Sequence, residues 1–243
     1  MRVVRATAWL LLAPVLTALG FTLAALGLVL DGGRGRGAHA VARAWGRAML
    51  FAAGARLIVE GERHLDAAQA RVLVANHASY LDIPALLAAF PGQLRFLARS
   101  SLIWLPFIGW YLRLAGHFSV DRKDPRQALA LVGRMAERMK RRGLSPLVFP
   151  EGTRSRDGRL AALKAGALAL PVQVRAPVQP IAVLGTHDVL PKGAWVPRRS
   201  GTVTVRFGEA LGPEGYEGSA GRKALADATR ARLLALGVED GAP

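Results

Sequence analysis

His77 and Asp82, five positions apart, are the first pair in this chain that could move a proton. A carboxylate bound to one imidazole nitrogen fixes the tautomer and stabilises the imidazolium, and the other nitrogen is left to take a proton from a hydroxyl. In a continuous helix the two positions would differ by about 500°, or roughly 140° around the axis, and would point apart. The dyad therefore requires a loop-to-helix junction. The apolar run Val72 to Ala75 reads as a strand ending just before His77, and Ser79 or Asp82 can cap the helix that follows. Pro84 suits the first turn of that helix, where N–H groups have no intrahelical partner. Taken alone, the pair fits a structural capping role as well as a catalytic one. The chain has no cysteine, which excludes thiol nucleophiles, zinc thiolate sites and disulfide frameworks. A dyad without a protein nucleophile leaves the attack to a hydroxyl of the substrate.

Two further polar clusters follow predicted strands. Phe149-Pro150-Glu151-Gly152-Thr153-Arg154-Ser155 leaves a strand into a glycine-containing turn that carries a guanidinium, the chemistry of a phosphate clasp. Its plainer alternative is an ordinary charged turn. Asp121-Arg122 offers a second guanidinium fork after Phe118 to Val120, with the alternative that Arg122 is solvated or pairs with Asp121 or Asp124. In open α/β sheets ligands bind beyond the carboxyl ends of strands, which is where all three clusters fall.

The elements that must position these clusters alternate. Leu57 to Glu60, Val72 to Ala75, Leu94 to Ala98, Phe118 to Val120, Leu147 to Phe149, Ile181 to Leu184 and Val203 to Phe207 read as strands. Arg126 to Arg142 places Leu129, Val132, Met135, Ala136 and Met139 on one helical face, and Ser219 to Leu236 is a second helix. Thr186 to Ser200, with Pro191 and Pro197, reads as a loop. The pattern predicts an α/β domain over residues 58–243, an open mixed sheet flanked by helices.

Residues 1–57 read as a membrane-associating helical segment. Trp9 to Leu30 is uncharged and, as a helix, about 33 Å long against a hydrocarbon core of roughly 30 Å. The run is too long for a secretory h-region and lacks a small-x-small cleavage site, so retention is expected. Gly20 near its midpoint leaves a spanning helix and a re-entrant hairpin both open. After a Gly/Arg linker, residues 38–57 set Val41, Trp45, Ala48, Ala52 and Ala55 at helical spacing with Arg43 and Arg47 off that stripe. This fits a basic interfacial helix on anionic lipid, with packing against the catalytic domain as the alternative. The net charge of +16, mostly arginine, calls for an anionic partner. Nucleic acid is not expected, since no recognition motif is present and aromatics make up only 7% of the chain.

Four segments together resemble the blocks of the glycerolipid acyltransferase family, in its order and spacing. They are Asn76-His77 with Asp82, Gly116 to Arg122, Phe149 to Ser155, and Val178-Gln179-Pro180-Ile181-Ala182-Val183. The resemblance covers roughly residues 57–210 and is nearest to the bacterial 1-acylglycerol-3-phosphate acyltransferase branch. It implies that His77, supported by Asp82, deprotonates the 2-hydroxyl of lysophosphatidate, which attacks an acyl-CoA or acyl-carrier-protein thioester to give phosphatidate, with no metal or other cofactor. It also implies that Arg122, Glu151, Gly152, Thr153 and Arg154 bind the acceptor phosphate or shape its pocket, Glu151 by orienting arginines. Arg99 stands where many members carry lysine and could face phosphate or the developing oxyanion. Lys164 resembles another family element but reads as a surface lysine. His117 is not expected to be a second base, and His39, His64 and His187 read as surface or packing residues. A cytosolic thioester donor implies an active site on the cytoplasmic face of a bacterial cytoplasmic membrane. The alternatives are an acyltransferase for another acceptor, such as a lyso-ornithine lipid, a lysophospholipid or glycerol 3-phosphate, and a noncatalytic basic protein that binds lipid or nucleic acid.

Overall fold

A computed structural model describes residues 2–66, 69–120 and 125–241. Helices α1 (Arg2–Leu30) and α2 (Arg36–Ala52) precede β1 (Ala55–Glu60), β2 (Val72–Ala75), α3 (Asp82–Ala89) and β3 (Leu94–Arg99). There follow α4 (Ile108–Leu114), β4 (Phe118–Val120), α5 (Pro125–Arg142), β5 (Ser145–Val148) and α6 (Ala169–Val174). The chain closes with β6 (Val178–Leu184), α7 (Thr186–Val189), β7 (Gly201–Phe207) and α8 (Gly218–Ala235). The strands form one seven-stranded sheet in the order β1-β7-β6-β2-β5-β3-β4. Among the described residues β6 and β7 pair antiparallel, and the remaining strand pairs are parallel. The predicted open mixed sheet flanked by helices is what the chain adopts.

Alternate residues along the central strands feed two separate cores. Leu73, Ala75 and Leu147 pack with Met49 and Leu50 of α2 and Leu86 of α3. Val72, Val74 and Val148 pack with Leu131, Met135 and Met139 of α5 and with Leu225 of α8. Strands β2 and β5 are buried along their whole length, as parallel strands covered on both faces must be.

In the N-terminal segment the structure selects between readings that the sequence left open and moves one boundary. Gly20 does not bend the apolar run: α1 is continuous, and a Cβ at Gly20 would lie 2.6 Å from Trp45 Cδ1, so the glycine makes room for a tryptophan of α2. The second helix ends at Ala52 rather than 57, because the chain turns at Gly54 (φ +74°) and enters β1 at Ala55. That helix is also not a free interfacial element. Ala42, Gly46, Met49 and Leu50 are buried against the body, and a Cβ at Gly46 would meet the Pro84 carbonyl oxygen at 2.4 Å, so α2 lies backbone-close on α3. The predicted loop at 186–200 begins with the short helix α7.

Arg5–Leu30 is long and apolar enough to cross a membrane. It nevertheless lies along the molecule. Arg5 donates to Ser200 Oγ (3.0 Å) and to the Arg198 carbonyl (2.7 Å), and Trp9 Nε1 donates to the Trp195 carbonyl (3.0 Å). Farther along, Phe21 packs on Tyr111 of α4 with ring centroids 5.0 Å apart. Leu11, Val15, Leu19, Leu26 and Leu30 point outward, and the nearby Trp195 is also exposed.

His39 of α2 is buried, its Nε2 3.2 Å from the Phe90 carbonyl, so that nitrogen carries the proton it donates. Burial lowers its pKa to about 4, with Arg95 and Arg43 acting in the same direction. Between the ordinary histidine value and about 4, the unfolded chain binds a proton that the folded protein refuses, so stability rises with pH across that window. On acidification to about pH 5 this one group is expected to remove about 2 kcal/mol of stability. His39→Gln keeps a donor without a titrating ring. Its melting temperature should therefore depend less steeply on pH than that of the wild type between about pH 4.5 and 7, and parallel profiles would contradict the assignment.

Candidate active site

Strand β2 delivers the segment from Asn76 to Asp82 to the carboxyl end of the sheet. Buried Asn76 locks the strand end in place: its Nδ2 donates to the Val183 carbonyl (2.9 Å) and its Oδ1 accepts from Val183 N–H (2.8 Å), bridging β2 to β6. His77 Nδ1 lies 2.7 Å from Asp82 Oδ2. A carboxylate can only accept, so Nδ1 carries the proton and Nε2 is left as the base. Asp82 is fully buried, while the His77 side chain keeps 19% of its surface exposed. The ring stacks on Phe149, centroids 4.0 Å apart and 15° from parallel, which restricts its rotation.

Asp82 does more than orient the imidazole. The same Oδ2 accepts from the backbone N–H groups of Ala78 (2.7 Å) and Ser79 (2.8 Å), and Oδ1 accepts from Thr186 Oγ1 (2.5 Å). These bonds bend residues 77–79 back over the start of α3 and bring together two side chains that a continuous helix would separate. The expected side-chain cap of α3 is absent, since its N-cap is Leu81, whose N–H donates to Ser79 Oγ (3.0 Å).

The turn after β5 grips His77 by its backbone. Glu151 Oε1 accepts from His77 N–H (2.6 Å), Oε2 accepts from Ala161 N–H (3.0 Å), and Ser155 N–H donates to the His77 carbonyl (2.8 Å). Burial pushes the Glu151 carboxyl above its ordinary value, opposed by the two N–H groups it accepts from. Glu151 thus corrects an expectation: its oxygens accept from the backbone N–H groups of His77 and Ala161, and no hydrogen bond from an arginine reaches it among the described residues. Gly152 adopts φ +75°, and a Cβ there would lie 3.0 Å from Lys164 Nζ. Arg154 lays its guanidinium over the Tyr80 ring, 3.5 Å from the centroid, and its Nη1 is sealed from solvent with no partner among the described residues. Thr153 is exposed and its hydroxyl accepts from Lys192 Nζ at 3.3 Å.

A sequence model of the Acyltransferase family matches residues 56–184, which contain His77, Asp82 and the Glu151–Arg154 turn. The chain belongs to the acyltransferase family. It is similar to 1-acyl-sn-glycerol-3-phosphate acyltransferases of Cocos nucifera (30% identical over 172 residues, 71% of this chain and 55% of the relative) and of Homo sapiens, the alpha form (33% over 135 residues, 56% and 48%). A chloroplastic relative from Brassica napus is 40% identical over 124 residues, 51% of this chain and 35% of that protein. The chain spans about half the length of the curated relatives it matches. Its fold is that of the 1-acyl-sn-glycerophosphate (LPA) acyltransferase from Thermotoga maritima, with a TM-score of 0.79, 24% identity and 97% of each chain covered.

The remaining predicted residues divide. Arg99 ends β3 opposite Val120, and its side chain lies outside the described residues. Arg122 and Asp121 also lie outside them. His117 is half-buried and stacked on Phe96, and its Nδ1 accepts from Phe96 N–H (3.0 Å). Burial, reinforced by Arg95 and His39, holds its pKa well below the ordinary value. No group of three or more His, Asp or Glu among the described residues could hold a metal ion. Sequence reasoning missed Thr186, Tyr80, Phe149 and Lys192 as parts of the site. Phe149 and Tyr80 stood inside the quoted motifs with no role given. Thr186 and Lys192 lie about 100 residues from the dyad, and nothing in their own neighbourhood marked them.

Proposed function

We propose that this chain transfers a fatty acyl group from acyl-CoA or acyl-carrier protein to the 2-hydroxyl of lysophosphatidate, giving phosphatidate. The observation that carries the reading is the His77–Asp82 pair, with Nδ1 committed to a buried carboxylate and Nε2 left as base. It stands beside a turn whose guanidinium has a sealed donor with no partner among the described residues. The names of the curated relatives point to the same acceptor class.

In this mechanism His77 Nε2 takes the proton of the 2-hydroxyl as its oxygen attacks the thioester carbonyl carbon. The tetrahedral intermediate collapses with cleavage of the C–S bond, and the departing thiolate takes the proton back from the imidazolium. Asp82 stabilises the positive imidazole between these steps. No acyl-enzyme forms, so the absence of cysteine is no obstacle. Arg154 receives the acceptor phosphate through a charge-assisted hydrogen bond. By the family resemblance, Arg99 and Arg122 would also serve the acceptor.

The outward leucines of α1 support seating on the cytoplasmic face of a bacterial cytoplasmic membrane, where the acceptor resides and the thioester donor has access. The basic excess of the chain suits anionic lipid. Purified protein in detergent, given a long-chain acyl-CoA and lysophosphatidate, is expected to form phosphatidate detectable by mass spectrometry. Faster acylation of a phosphate-free acceptor such as 1-acylglycerol would overturn the choice of acceptor.

A further inference from the structure

Lys192 lies in the connection between β6 and β7, outside the four sequence blocks, yet the fold holds it against the site. The backbone of Pro191 bridges that of Ser79, and Ser79 Oγ donates to the Leu190 carbonyl at 2.5 Å. Thr186, which opens the same connection, is bonded to Asp82. From this anchored loop the half-buried Lys192 extends Nζ to the Arg154 carbonyl (2.6 Å) and Thr153 Oγ1 (3.3 Å). Two of its three protons are used, and the third has no partner among the described residues.

Charge makes the arrangement informative. Lys192, Lys164 and Arg154 converge on the turn at residues 152–154, with Lys164 Nζ lying over Gly152. The turn's carboxylate, Glu151, faces inward to two backbone N–H groups. Arg154 carries a sealed donor, and the ring beneath it, Tyr80, brings no formal charge. Three cations around one turn repel one another unless an anion joins them.

Resting on the reading that this site takes a phosphate-bearing acceptor, we infer that Lys192 is a specificity-determining residue for that phosphate. It clamps the turn with one N–H bond to the Arg154 carbonyl and one to the Thr153 hydroxyl, and offers the third to a phosphate oxygen beside Arg154. Lys192 is a positioning residue for the turn and a direct contact for the anion. It takes no part in the proton transfer.

The test uses the full chain in detergent with a long-chain acyl-CoA, comparing wild type, Lys192→Met and Lys192→Arg. Lys192→Met is expected to raise KM for lysophosphatidate about 10- to 100-fold, the range for losing a charge-assisted hydrogen bond. KM for the acyl-CoA should stay within about twofold, and Lys192→Arg should recover most of the loss. Glycerol 3-phosphate, used as a soluble competitor, should inhibit the methionine variant correspondingly less. A fall in kcat with KM for lysophosphatidate unchanged would show a structural role only and overturn the inference, as would a variant indistinguishable from wild type. If the wild type itself fails to acylate lysophosphatidate, the acceptor reading falls and this inference with it. If the wild type is active and Lys192→Met is indifferent, only the role of Lys192 is lost.

Discussion

His77→Ala is expected to lower kcat for phosphatidate formation by about 10²- to 10⁴-fold, the contribution of a positioned general base. The fold should survive the change. Asp82 would keep three of its four donors, the N–H groups of Ala78 and Ser79 and the Thr186 hydroxyl, so the buried carboxylate is not stranded. Glu151 and Ser155 hold His77 through its main chain, which alanine retains. The structural cost reduces to the stacked ring on Phe149 and the lost Nδ1 bond, on the order of 1–2 kcal/mol at a partly buried position. The measurement pairs product formation, followed by mass spectrometry, with a thermal melt and a vesicle flotation assay. Activity within tenfold of wild type would remove His77 from the proton transfer. Loss of folding or of membrane binding would mean that its role is structural.

The second large effect separates the two duties of Asp82. In Asp82→Asn the amide oxygen can keep the three N–H donors on the Oδ2 side, while the NH₂ turns to Thr186, whose hydroxyl can accept as well as donate. Geometry is largely preserved and the negative charge is lost. Without it the imidazolium formed during the reaction has no counter-charge, and kcat is expected to fall about 10²- to 10⁴-fold with a modest change in melting temperature. Asp82→Ala removes every acceptor and leaves two backbone N–H groups and a hydroxyl unsatisfied in a buried site, at about 1–3 kcal/mol each. It should lose activity and several kcal/mol of stability together. If Asp82→Asn destabilises the fold as much as Asp82→Ala does, the carboxylate is chiefly structural. If Asp82→Asn retains wild-type kcat, Asp82 has no part in catalysis.

Much of the site was legible because its parts are local. A buried strand that ends in Asn76-His77 and runs into Asp82-Ile83-Pro84 needs only a short bend, and the Gly-Thr-Arg turn after β5 shows its geometry in its glycine. Strand positions were legible for the same reason: β2 and β5 are apolar runs between polar breaks. The role of Glu151 was not, since a carboxylate near an arginine in sequence suggests a pair, and only the approach of β2 to β5 brings it the His77 N–H. The part of Gly20 was left open for a similar reason. A glycine in an apolar run signals a bend when considered alone, whereas here the missing Cβ admits Trp45 from another helix.

The sequence by itself determined the alternation of elements, the short spacing of His77 and Asp82, the glycine-containing turn after β5 and the apolar N-terminal helix, each set by periodicity or spacing within a few residues. Only the tertiary structure decided that α1 lies along the body, that α2 packs backbone-close on α3, that Asn76 ties β2 to β6, and that Thr186 and Lys192 reach the site. The reason is physical. A side chain's local propensity acts over a turn or two, while the neighbours across a sheet are set by strand order, here β6-β2-β5, which unites residues about 100 positions apart.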